Sequence, residues 1–222
     1  MHRLTQAILR DRLTAEQAAA TRAGTEAMLA AVDPGSPRDP VSWPRWAQLV
    51  PHLLAADLAA TSNSELRSAA CNACRYLMDR GDTRTAHDLA AELLRHWRGR
   101  LGDDHDNTRA VADQLAWALR SLGRYAEARG LAQETLARRH RVFGEDHPYT
   151  LESANNLGNT LPYLGEYQAA RDLHQDTLNR RRQVLGEDHP STLDSASSLA
   201  DLRALARRDG HPLSRPTGGP PA

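Results

Sequence analysis

The blocks Gly144-Glu-Asp-His-Pro148 and Gly186-Glu-Asp-His-Pro190 repeat one another, and a looser copy, Gly102-Asp-Asp-His-Asp106, precedes them. Histidine beside carboxylates is a metal-ligand combination, so a repeated metal site is the first chemistry to weigh. Zinc needs three or four converging ligands, whereas each block offers at most one His and one or two acids. Stacked repeats would also string the blocks along one edge instead of gathering them at a point. The same residues have a second use. Pro148 and Pro190 suit the first turn of a helix, where a missing N–H costs nothing. Asp146 or His147, and likewise Asp188 or His189, stand where a capping side chain is wanted. The block is therefore read as a helix joint, and no metal is expected.

Other chemistry fares no better. Cys71-Asn-Ala-Cys74 has the spacing of a redox or metal pair, but there is no second pair and no βαβ pattern around it; two small helix residues are the expected reading. All 28 of the Lys-plus-Arg positions are Arg. That excludes a Walker A phosphate loop and Schiff-base chemistry, both of which need Lys. Arg138-Arg-His-Arg141 and Arg180-Arg-Arg182 fall at helix ends, where cations complement the dipole, and are expected to be solvated. No Ser-His-Asp or paired-acid constellation assembles from local spacing. Neither an enzyme nor a cofactor is expected.

The elements that carry these residues recur. Leu101, Phe143 and Leu185 open copies 42 positions apart, and Gly81, Gly123 and Gly165 keep the same step. Such a period marks a solenoid. Within a copy, Leu151, Ala154, Leu157, Gly158 and Leu161 form one apolar helical stripe. Gly165 breaks that helix, Pro162 kinks or ends it early, and a second helix follows from about Tyr167 to Arg182, with Ala170, Leu173, Thr177 and Leu178 inward. The composition is 40% hydrophobic and 25% charged, with 28 basic and 28 acidic residues. No membrane-length apolar run and no secretory signal are visible, so a cytoplasmic location with reduced cysteines is expected.

Gly123-Arg-Tyr-Ala-Glu-Ala128 and Gly165-Glu-Tyr-Gln-Ala-Ala170, in register with the joints, resemble the tetratricopeptide repeat of the kinesin-light-chain type, over about Ser64 to Arg208. The resemblance implies an all-α fold: a right-handed tetratricopeptide helical-hairpin solenoid preceded by a short helical cap. Residues 63–209 would hold about three hairpins, closed by a solitary helix from Thr192 to Arg208. Residues 210–222 read as a disordered tail. Residues 1–62 do not repeat. They offer a short helix over Arg3-Leu-Thr-Gln-Ala-Ile-Leu-Arg-Asp-Arg-Leu13, a second from Ala15 to about Val32 capped by Thr14, and a loop over Asp33 to Pro40. A third helix starts near Pro44, with Trp46, Leu49, Leu53 and Trp43 inward and a bend at Pro51. Met1-His2-Arg3-Leu4 resembles the end of the winged-helix part of STAND-class signalling ATPases with NB-ARC modules. There the His reads a nucleotide phosphate; Arg3 departs from the family's Asp, and no phosphate loop is present here.

The polar side of the first helices is the candidate site. Glu152, Asn155, Asn156 and Asn159 lie opposite the leucines, with Asp113, Gln114 and Trp117 one copy earlier and Asn72 and Arg75 one earlier still. In a tetratricopeptide stack this side lines the concave groove, and the resemblance gives Asn72, Asn156 and Asn159 the task of holding a peptide backbone. Amide, guanidinium and indole groups suit that task. Gln114 and Trp117 replace the usual Asn, so a carboxylate-clamp specificity does not carry over, and the ligand's charge stays open. The expected function is a protein- or peptide-binding module, the sensor or scaffold arm of a STAND-type ATPase, with no membrane partner. The alternatives are a nucleic-acid binder using the Arg clusters, and a scaffold self-associating through the C-terminal end of the array.

Overall fold

The structure is a computed structural model that describes residues 14–32, 34–211 and 213. The helix expected over Arg3 to Leu13, and the residues beyond Leu213, lie outside them. Among the described residues every regular element is helical, as the repeat pattern requires. The chain divides into two compact units after Asp82.

In the first unit, α1 (Ala15–Ala30) begins with a capping box. Thr14 Oγ1 accepts from the Gln17 N–H at 3.2 Å, and the Gln17 side chain accepts from the Thr14 N–H at 3.0 Å. A 3-10 turn, Pro40–Ser42, leads into α2 (Trp43–Ala55), which runs through Pro51. Trp46, Leu49 and Leu53 are buried as their spacing predicts. Trp43 is half-buried; its indole donates to the Pro37 carbonyl at 2.9 Å and meets Tyr76 edge-on. Asn63 caps α3 (Ser64–Asp79). Cys71 and Cys74 are free and buried within α3. Burial, with Cys71 beside it, pushes the Cys74 thiol up, which disfavours the reactive thiolate. Both act as small packing residues.

The second unit holds α4 (Thr83–Leu101), α5 (Asp106–Ser121), α6 (Tyr125–Phe143), α7 (Pro148–Gly158), a 3-10 turn (Leu161–Leu164), α8 (Tyr167–Leu185) and α9 (Pro190–Arg208). Each helix packs on its successor, and α5 also meets α7. Ala116, Ala132, Leu157, Leu161, Ala170 and Leu202 form a shared core cluster, in which the alanines let helices approach closely. Pro162 cannot donate into an α-helical ladder. α7 accordingly stops at Gly158, and the chain rewinds as the 3-10 turn before Gly165, at φ 76°, reverses it.

The joints resolve which side chain caps. His147 Nδ1 accepts from the Tyr149 N–H at 3.2 Å, His105 Nδ1 from Asn107 at 3.1 Å, and His189 Nδ1 from Ser191 at 3.1 Å. Asp146 is used differently, accepting from Arg180 at 2.7 Å. Thr150 and Thr192 each donate at 2.8 Å to the carbonyls of Gly144 and Gly186. Gly144 has φ 85° and ψ 174°, a conformation open in practice to glycine alone. The Gly and the His of each block thus set one tight change of direction between helices.

Candidate ligand-binding face of the repeat array

Asn72 and Arg75 are placed by α3 in the first unit; Asn72 is exposed and Arg75 is paired to Asp79 at 3.0 Å. The other seven residues singled out from the sequence belong to the second unit, all half-buried. Asp113, Gln114 and Trp117 lie on α5, Glu152, Asn155 and Asn156 on α7, and Asn159 at its C-cap.

Three of the seven come together. Asp113 forms an ion pair with Arg139 of α6 and a hydrogen bond with Asn156 of α7, and Glu152 is close enough to act on it electrostatically. Burial is the largest influence on the Asp113 carboxyl and, with Glu152 beside it, pushes it up to about 6 against the opposing pull of Arg139. Burial lowers the pKa of Arg181, on α8, and Glu152 opposes that by favouring its charged form. Gln114 Oε1 and Asn155 Oδ1 are buried without a hydrogen-bond partner among the described residues.

Asn159 enters a different constellation. With Arg120, Tyr163, His174, Ser198 and Asp201 it lines a cavity of about 590 Å³. Ser198 and Asp201 are the counterparts, one repeat on, of Asn156 and Asn159. His174 is 1% exposed and lies against Gly158, to whose carbonyl one ring nitrogen donates, while Nδ1 has no partner. Burial first, then the charge of Arg181, lowers its pKa to about 4, so the ring is neutral near pH 7. Arg120 is half-buried, and among the described residues no ion pair or hydrogen bond holds it; burial lowers its pKa and only Tyr163 opposes, but the guanidinium stays charged. Sequence reasoning passed over Arg120 and His174 because neither lies on the Asn-bearing positions. The available signal was the departure from alanine, His174 standing one repeat after Ala132.

The arginine clusters are only partly the solvated helix ends that their position suggested: His140, Arg141 and Arg182 are exposed, but the others are engaged. Arg139 and Arg181 are buried and reach the next joint, donating to the Tyr149 carbonyl at 2.8 Å and the Ser191 carbonyl at 2.6 Å. Arg138 pairs with Asp103 and Glu134, each at 3.2 Å. Arg180 pairs with Glu145, Asp146 and Asp176 at 2.7–2.8 Å. These cations tie one repeat to its neighbours. Among the described residues no three His, Cys, Asp or Glu side chains are grouped to hold a metal ion, and no helix is long and apolar enough to cross a membrane.

The tetratricopeptide repeat profile matches residues 65–139 and 118–183, together more than half of the chain. The chain belongs to the tetratricopeptide repeat family. Its array is similar in fold to a Podosopora anserina protein assigned as a kinesin light chain with nearly identical TPR-like repeats. That protein is 20% identical, with 76% of this chain and 79% of that one covered and a TM-score of 0.56. A single-residue variant of the same protein gives 21% identity, the same coverage and a TM-score of 0.58. BtubC (BKLC) from P. vanneervenii is 16% identical, with 90% of this chain and 86% of that one covered and a TM-score of 0.59. No curated protein matches the sequence. Tetratricopeptide arrays of this kind are in general non-enzymatic protein-interaction modules.

Proposed function

We propose that the protein is a non-enzymatic cytoplasmic module that binds an extended protein segment along the polar side of α5, α7 and α9. The carrying observation is the line of polar residues at equivalent repeat positions on these helices. It runs from the Asp113–Asn156 pair to Asn159, Ser198 and Asp201, the last three lining the 590 Å³ cavity. Polar groups at fixed spacing on a rigid array suit a peptide backbone, whose N–H and C=O groups also recur regularly. A sensor role beside a STAND-type ATPase is the finer reading, and it rests on Met1-His2-Arg3-Leu4 and the order of segments alone. An in-frame phosphate loop upstream in the gene would decide it.

The test is selection of short random peptides displayed against the whole chain. Asn159→Ala and Trp117→Ala should weaken the selected binders by roughly tenfold or more, compared at a temperature where both variants are fully folded. Asn156→Ala is a less clean probe, because Asn156 also serves Asp113. Binders indifferent to both changes would place recognition elsewhere.

A further inference from the structure

The cavity beside Asn159 combines two unmet demands. Arg120 projects from α5 as a half-buried cation that no carboxylate among the described residues balances. His174, from α8, presents a buried ring whose Nδ1 has no donor, its other nitrogen being engaged by the Gly158 carbonyl. A desolvated cation gains far more from a counter-ion than an exposed one does, because water no longer screens the pair. A neutral imidazole nitrogen without a proton takes an N–H or O–H.

The rim carries Asp201, but that carboxylate is exposed and solvated, as is Arg208, which is paired to Asp209 at 3.1 Å. The strongest unspent interaction in the cavity is therefore positive and comes from Arg120. The volume of about 590 Å³ accommodates a side chain together with its backbone.

We propose that this cavity selects for an acidic residue, aspartate or glutamate, in the bound peptide. Its carboxylate pairs with Arg120, and a neighbouring N–H of the same peptide donates to His174 Nδ1. The inference rests on the peptide-binding reading above and adds to it the charge of the ligand and the residues that read it. Arg120 is suited to a swap test because no bond within the described fold is lost when it changes.

Peptides selected on the intact chain should share an acidic residue at one place, and changing that residue to its amide should weaken binding about tenfold. Arg120→Gln should bind the acidic and amide peptides alike and melt with the original protein. Arg84→Gln, an exposed cation at the start of α4 that is not part of the cavity lining, should keep the discrimination. Three results overturn the proposal while leaving the groove reading intact: selected peptides without a shared acid, Arg120→Gln retaining the preference, or free glutarate displacing the peptide at equal concentration. Peptides whose binding ignores Asn159→Ala and Trp117→Ala as well, or failure to select any, would overturn both.

Discussion

Gly158 and His174 are in direct contact: a Cβ built on Gly158 would meet the imidazole at 2.7–3.0 Å. One repeat earlier the same two positions are Ala116 and Ala132, both buried. The histidine therefore fits only because its partner gave up a methyl group.

Gly158→Ala should destabilise the protein by about 1–3 kcal/mol through this overpacking, although glycine ordinarily costs a helix stability relative to alanine. His174→Ala in the same background should recover most of the loss by restoring the arrangement of the preceding repeat. Urea unfolding of the two single variants and the double variant reads the coupling; additive losses would mean that the contact is not the cause.

Asp113 supplies a pH dependence whose sign is open to test. Its carboxyl titrates near about 6 in the fold, above the roughly 3.9 of an unfolded aspartate. The folded state then holds the proton more tightly, so this group's contribution falls as pH rises from about 4 to about 6 and is flat above. Stability relative to Asp113→Asn should drop over that window by up to roughly 3 kcal/mol. A relative gain instead would show that Arg139 outweighs burial.

His147→Ala should cost about 1 kcal/mol by removing the cap of α7, and His147→Asn should restore most of it, since asparagine offers an oxygen in the same place. A chelator should leave the melting temperature of all three proteins unchanged. A marked drop for the unaltered protein would show that these histidines hold a metal after all.

Much of this could be read from the sequence because it is local. The step from Gly123 to Gly165, the proline at 148 and the aromatic at 167 each act through their own turn, so period and composition locate hairpins and joints. The choice between the aspartate and the histidine as cap went to the histidine at all three joints, while Asp146 accepts from Arg180 on α8, a contact that spacing within the joint does not show. The cavity was hidden for a stronger reason: Arg120, Asn159, His174 and Asp201 come from four separate stretches, and only the stacking brings them together. The arginines at 138–139 and 180–181 misled because a cation at a helix C-terminus already has a sufficient local explanation.

Those arginines carry the last prediction. Arg181→Met removes donations to the Ser191 carbonyl at 2.6 Å and to Ser195 Oγ at 2.8 Å. It should cost about 1.5–3 kcal/mol, the range for hydrogen bonds to a charged group. Arg139→Met should cost more, about 3–5 kcal/mol near neutral pH, because it also strands the Asp113 carboxylate. That side chain is only 14% exposed. Arg141→Ala, at an exposed position, should change stability by less than about 0.5 kcal/mol. The stranded carboxylate has one escape, which is to take a proton, and without Arg139 it does so at higher pH than in the unaltered protein; the Arg139→Met penalty should therefore shrink as pH falls toward about 6 and level off below it, whereas the Arg181→Met penalty should not. Denaturant unfolding at neutral and mildly acidic pH separates the two. Equal penalties at both would mean that Arg139 acts through the Tyr149 carbonyl alone.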